Sequence, residues 1–433
     1  MSEASLTRAE HDALGEVEVP ADALWGVHTQ RGLGNFPIGG PVTRDEPAVI
    51  LALAWTKAAA ARANAELGVI PRDVAAAIVE AAHELVEGRW HDHFPVTLLQ
   101  GGGYTTLNMN ANEVLANRAS ELLGGERGAY DRVHPNDHVN RSQSTNDAIP
   151  TALALAAVSL GLRTVDDLAH LEATLRAKAG EAGELVRIGR TCIQDAVPLR
   201  AADGLLASAS ALARTGGDLR CSLDELLAVP IGATAIGTGI GAPAGYRQHV
   251  VRALAEESGL PVNADADLFD GLQHLDPYVR VASDLVRAML VVAKLANDLR
   301  FLSSGPVGGI GELRLPAVQA GSSIMPGKVN PVMPELVMLA SFEARGAATV
   351  VECAVAAGEQ ELNVWEPAIT TSLLPALRRS GEAVRLFADR CVAGIAWNAD
   401  RAAANLGGSF GDAVERAATE GYSAVARERY AGT

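Results

Sequence analysis

Aromatic side chains are scarce: 5 Trp, 6 Tyr and 7 Phe make up 4% of 433 residues. Sheets favour aromatic and β-branched residues, while helices favour Ala and Leu, which dominate here, so the composition leans all-α. Basic charge is also in deficit, with 36 Lys+Arg against 52 Asp+Glu and a net charge of −16. Phosphate backbones and anionic lipid surfaces are bound by basic faces, and none is apparent, which argues against nucleic-acid and membrane partners. Cysteine is rare too. Cys192, Cys221, Cys353 and Cys391 lie far apart, with no CxxC pair and no metal-ligand spacing. A reduced, cytoplasmic protein without a metal site is the simplest expectation. No apolar run approaches the roughly 18 residues of a membrane span. The opening MSEASLTRAEHDALGE has neither the basic nor the apolar region of a signal peptide.

What is present is an ordinary globular balance, 48% hydrophobic and 20% charged, at a length that suggests two or three domains. Turn signals such as Gly39-Gly40-Pro41, Gly101-Gly102-Gly103 and Gly124-Gly125 break the first 150 residues. Between them, helices are expected near 47–68, 72–88 and 106–123. From Pro150 to about Gly180 the residues Val158, Leu162, Val165, Leu168, Leu171 and Leu175 recur at spacings of 4, 3, 3, 3 and 4. A second stripe, Leu285, Met289, Val292, Leu295, Leu299 and Leu302, follows Asp276-Pro277, and a third long helix is expected from Pro334 towards Gly358. Stripes at this period mark one helical face, and helices well above the usual 11–12 residues suggest a bundle. The last forty residues have the pattern of a small helical tail.

The chemistry is expected in the loops. GSSIMPGKVNP at 321–331 is not a phosphate loop: five residues separate Gly321 from Gly327, and Val329 stands where Ser or Thr follows the lysine. A plain linker is the bland alternative to a mobile loop that carries a serine and Lys328 to a substrate. In HPNDHVNRSQSTND at 134–147, Ser144, Thr145 and Asn146 precede a long helix, either as a simple N-cap or as an anion site at a helix start. His134 and His138 lack the carboxylates or cysteines that complete a metal cage. QGGGYTTLNMNAN at 100–112 and GRTCIQDAVP at 189–198 add Thr105, Thr106, Asn108, Thr191 and Gln194, while Cys192 has no adjacent base to make it a nucleophile. Neutral hydroxyls and amides, one lysine and no nucleotide fingerprint suit a small, multiply charged carboxylate held by many hydrogen bonds.

GSSIMPGKVNP resembles the signature of the fumarase/aspartase superfamily. LGEVEVPADALWGVHTQRGLGNFPI, QGGGYTTLNMNANEVLANRA, VHPNDHVNRSQSTNDAIPTA, GRTCIQDAVP, IGATAIGTGI and ELNVWEP follow that family's order, so the resemblance covers about 14–410. It implies an all-α protomer of three domains, drawn here at 1–143, 144–392 and 393–433, whose long central helices form a twenty-helix core in a homotetramer with active sites shared between three subunits. It implies reversible anti-elimination from a succinyl-type substrate without a cofactor. Ser322 is then the general base on a mobile loop. Lys328 and Asn330 complete the catalytic set, and Thr105, Ser144, Thr145, Asn146, Thr191 and Cys192 bind the dicarboxylate. His134, Asn136 and Asp137 match a secondary anion site of the family.

HPNDHVN and NVWEP, with Glu366 in place of the lysine typical of fumarases, are similar to aspartases. The expected reaction is therefore L-aspartate to fumarate and ammonia. Cys192 replaces the histidine of fumarases and the histidine or glutamine of aspartases. Tyr104 replaces a glycine, Arg200-Ala-Ala-Asp203-Gly204 replaces TLGQE, and the C-terminal part is short. These departures keep open a lyase acting on an N-substituted aspartate or another fumarate adduct, and a fumarate hydratase. A non-catalytic scaffold has no need for Ser322, Lys328 and Asn330 together.

Overall fold

The computed structural model describes residues 6–407 and 409–430. The outermost residues of the first and third expected domains, and position 408, lie outside the described residues. Helix dominates, with fourteen α-helices among the described residues. The strands form four two-stranded sheets. The all-α expectation holds, because the strands are only two to seven residues long and pair two by two. The chain forms two compact units, each assembled from separated segments.

The first unit comprises Met1–Arg163, Leu219–Leu285 and Ala344–Arg378. A hairpin of Thr7–Asp12 and Gly15–Pro20 opens it. Arg8 fixes the exit of that hairpin by donating to the carbonyls of Pro20, Ala23 and Trp25. The helix Pro47–Glu66 is apolar nearly all round and packs against Arg72–Val86, Tyr246–Ser258 and Thr105–Leu122. Such an all-round apolar helix must be enclosed. The alanines along it let its neighbours come close. A similar close approach occurs at Gly161, where a Cβ would stand 2.4 Å from a methyl of Leu223.

The second unit comprises Thr164–Asp218, Val286–Glu343 and Arg379–Thr433. It contains a second hairpin, Val186–Thr191 with Gln194–Arg200. It also contains the loop 303–331 and the short pairing of Leu313–Arg314 with Ala396–Trp397. The helices Ala399–Leu406, Gly411–Glu420 and Tyr422–Tyr430 form the expected helical tail.

The long helices span Thr145–Ala182, Ala201–Glu225, Asp276–Leu302, Val332–Ala356 and Glu366–Arg390. Every residue of the Leu285–Leu302 stripe is buried. In the earlier stripe, Val158, Leu168, Leu171 and Leu175 are buried, while Leu162 and Val165 are half-buried. The first long helix starts at Thr145 rather than Pro150, because Ser144 caps it. By length and composition this helix would suffice to cross a membrane, contrary to the expectation that no stretch approaches a span. However, 78% of its most apolar window is buried within the protein, which marks a core helix. The hairpins around 7–20 and 186–200 were not anticipated. Their strands mix charged and apolar residues without the strict alternation that signals a strand.

Candidate active site

In the first unit, four of the expected substrate-binding residues sit at two helix starts. Tyr104 adopts a left-handed backbone (φ 61°) and is fully buried, with its hydroxyl donating to the Leu98 carbonyl at 2.7 Å. It anchors the glycine turn that leaves Thr105 exposed at the first position of the helix Thr105–Leu122. There the Thr105 hydroxyl donates to Gly102 O at 2.9 Å.

At the second start, Ser144 Oγ accepts the N–H of Asn146 at 3.1 Å, and Asp147 Oδ1 accepts the N–H of Ser144 at 2.9 Å. This is a reciprocal cap of the S-x-x-D type. The other oxygen of Asp147 accepts Gly232 N–H at 3.0 Å and Thr234 N–H at 2.8 Å. Asn146 Nδ2 donates to Ala235 O at 2.8 Å. The IGATAIGTGI loop is thereby tied to the Ser-Thr-Asn triplet. Of the two alternatives for this helix start, the cap is the one these bonds form.

Behind the triplet lies Lys57, fully buried on the alanine-rich helix. Its ammonium donates to Asn108 Oδ1 at 2.7 Å, Gln143 Oε1 at 3.0 Å and Asn140 Oδ1 at 3.1 Å. Burial pulls Lys57 down to about 7, with the charge of Asp147 opposing. Burial also pushes Asp147 up to about 6, against its backbone hydrogen bonds and the charge of Lys57. Sequence reasoning missed both residues. The signals were available: a lone lysine inside AWTKAAAARANA, and an Asp three residues after Ser144. Glu113 was missed as well. It is buried and accepts the N–H groups of Gly26, His28 and Thr29 and the Thr29 hydroxyl, capping the helix Val27–Asn35. Burial lifts it to about 7 despite those bonds.

His134 Nδ1 accepts the N–H groups of Asn136 and Asp137, each at 3.2 Å, and His138 Nδ1 accepts the His134 N–H at 2.9 Å. Both rings thus shape a turn. Among the described residues no group of three His, Cys, Asp or Glu is arranged to hold a metal.

In the second unit, the 321–331 segment is closed on itself. Gly321 N–H donates to Lys328 O at 2.7 Å, and Asn330 Nδ2 donates to Gly321 O at 2.8 Å. A Cβ at Gly321 would stand 2.7 Å from Asn330 N and 2.8 Å from Lys328 O, so the closure requires glycine. At the head of the loop, Ser322 Oγ accepts the N–H groups of Ile324 at 3.2 Å and Met325 at 3.0 Å. Two N–H dipoles aimed at one hydroxyl oxygen lower the cost of its anion. Lys328 is exposed, and among the described residues no carboxylate pairs with it. Ser322 and Lys328 line a pocket of about 370 Å³ under the loop.

Thr191 and Cys192 are exposed at the tip of the 186–200 hairpin, where Cys192 (φ 53°) and Ile193 (φ 62°) form the two-residue turn. That tip and the serine loop meet in a cleft of about 1230 Å³ that Ile193, Arg187, Arg300, Lys328 and Asn330 help to line. Asp298 also lines this cleft, beside Lys294. The nine expected residues thus fall into two groups: Thr105, Ser144, Thr145 and Asn146 in the first unit, and Thr191, Cys192, Ser322, Lys328 and Asn330 in the second.

The profile of a family described as "Lyase" matches residues 15–346. An aspartate ammonia-lyase of Corynebacterium glutamicum is 44% identical over 406 residues, covering 93% of this chain and 77% of that protein. A class II fumarate hydratase of Thermosynechococcus vestitus is 44% identical over 390 residues, covering 90% of this chain and 83% of that protein. The crystal structure of a fumarate lyase:delta crystallin from Brucella melitensis bound to cobalt matches with a TM-score of 0.94 and 41% identity, over 98% of this chain and 92% of that one. A class II fumarase from Schistosoma mansoni also matches with a TM-score of 0.94, at 32% identity, over 98% of this chain and 91% of that one.

Proposed function

The chain belongs to the fumarase/aspartase family of lyases, and from that premise we propose that it converts L-aspartate to fumarate and ammonia. The observation that carries this reading is the pair of backbone N–H groups on Ser322 Oγ, because a serine acts as a base only where its anion is stabilised. Ser322 takes the proton from C3 of aspartate. The electron pair left behind spreads into the adjacent carboxylate, and Thr105, Ser144 and Thr145 donate to the charge that builds there. The pair then returns to form the C2–C3 double bond as the C2–N bond breaks and ammonia leaves. Asn146, Thr191, Lys328 and Asn330 hold the two carboxylates and Cys192 lines the pocket. No cofactor takes part.

Glu366 supports ammonia rather than water as the leaving group, since fumarases carry lysine at that position. The exposed, small Cys192 favours a second reading, an N-substituted aspartate, because it leaves room where a larger side chain is usual. A homotetramer with sites shared between three subunits, built on a three-domain protomer in the cytoplasm, completes the proposal. Exposed apolar residues on the long helices, Leu290, Phe301, Leu339 and Phe342, support such assembly.

The test is the ultraviolet absorbance of fumarate with L-aspartate and L-malate offered in parallel. Fumarate from aspartate alone is expected. Fumarate from malate alone overturns the proposal in favour of hydratase chemistry. Silence with both directs the search to fumarate plus a panel of amines in the addition direction.

A further inference from the structure

We propose that Lys57 is a positioning residue that, through Asn108, sets the direction in which the Thr145 hydroxyl donates. The inference rests on the reading of Thr145 as a dicarboxylate-binding residue. Lys57 has three ammonium protons and three amide oxygens around it, on Asn108, Asn140 and Gln143. An ammonium group donates and never accepts. The side-chain oxygen of Asn108 must therefore face Lys57, and the opposite amide orientation would press an NH₂ group against the cation. With its oxygen so fixed, Asn108 Nδ2 points to Thr145 Oγ1 at 3.0 Å and to Asn140 Oδ1 at 3.1 Å.

Thr145 Oγ1 thus accepts from inside the protein. Its single proton is left to donate outward, and among the described residues no acceptor takes it. Thr145 itself is half-buried at the first position of its helix, while Lys57 and Asn108 are buried and out of reach of a ligand. If Asn108 were reversed, its oxygen would accept the Thr145 proton, and the hydroxyl would present a lone pair to an arriving carboxylate. A lysine buried this deeply needs an acceptor for each of its protons, and the three amide oxygens supply them.

The test uses the full chain and succinate as the probe, with Kd measured by titration calorimetry alongside kcat and KM for whichever substrate yields fumarate. Asn108→Asp keeps an oxygen towards Lys57 but replaces the donor to Thr145 with an acceptor. It is expected to weaken succinate binding and kcat/KM about tenfold, the size of one lost hydrogen bond. In a Thr145→Val background the same change is expected to cost less than about twofold, because coupled residues are not additive. Lys57→Met should show the same loss of effect in that background, which a purely structural role would not. Asn108→Ser serves as the gentler change if Asn108→Asp does not fold. Unchanged binding, or equal losses in both backgrounds, overturns the inference. Wild-type protein that binds succinate but releases no fumarate from aspartate or malate sinks the proposed function alone. Wild-type protein that binds no succinate overturns both.

Discussion

Arg190 grips the fully buried carboxylate of Glu312 with two hydrogen bonds, Nη2 to Oε1 at 2.7 Å and Nη1 to Oε2 at 3.1 Å. Asn405 adds a third bond at 2.8 Å, and the Glu312 carbonyl accepts the N–H of Asn398. Burial alone would raise the carboxyl, but these partners hold it below its usual range. The pair fixes the strand that leads to Thr191. Arg190→Met leaves a buried charge unpaired and is expected to cost about 3–5 kcal/mol in denaturant unfolding. Glu312→Gln, which removes that charge, should cost less. Equal and small effects of both would show that the pair does not hold the hairpin.

Ser322→Ala removes the oxygen that the loop N–H groups address. Turnover should fall by about 10²–10⁴-fold or more, the range for losing a general base. The oligomeric state, read by light scattering, should be unchanged. Surviving activity means that another group is the base. Gly321→Ala is expected to reduce turnover as well, by opening the closure between Gly321, Lys328 and Asn330 rather than by removing a reacting group.

The hairpin tip puts a thiol and a β-branched residue where two positive φ angles favour Asn-Gly. Ile193→Gly should raise stability by about 1 kcal/mol, measured by thermal unfolding, because a left-handed non-glycine residue costs about 1–2 kcal/mol and glycine returns part of that in entropy. Cys192→Ser should keep measurable turnover, with alkylation of the thiol acting only by bulk. Complete loss of activity in an assembled serine variant would mean that the thiol takes part in the chemistry.

Glu366 is buried, one of its oxygens has no partner, and burial pushes it up from 4.5 to about 7. The folded state therefore keeps a proton between those values that the unfolded state releases. The stability associated with this site is complete below pH 4.5 and is lost as pH rises towards 7. Glu366→Gln should flatten that decline, by on the order of 3 kcal/mol across the window. Parallel stability curves for the two proteins from pH 4.5 to 7 would show that Glu366 does not titrate there.

The long helices and the clusters of small polar residues at their ends were legible in the sequence. Both signals are local: an apolar period along a helix, and clusters of Gly, Ser, Thr and Asn at its ends. The Leu285–Leu302 stripe, the helix start after Ser144 and the serine of the 321–331 loop were all legible without coordinates. Tertiary structure alone decided that Lys57 lies against Asn108 and Asn140, that Asp147 reaches Gly232 and Thr234, and that Arg190 pairs with Glu312. Those partners stand 51 to 122 residues apart in the chain. Their charges are set by burial and by long-range partners, which no periodicity encodes, so the supports behind the site emerged only once the helices had packed.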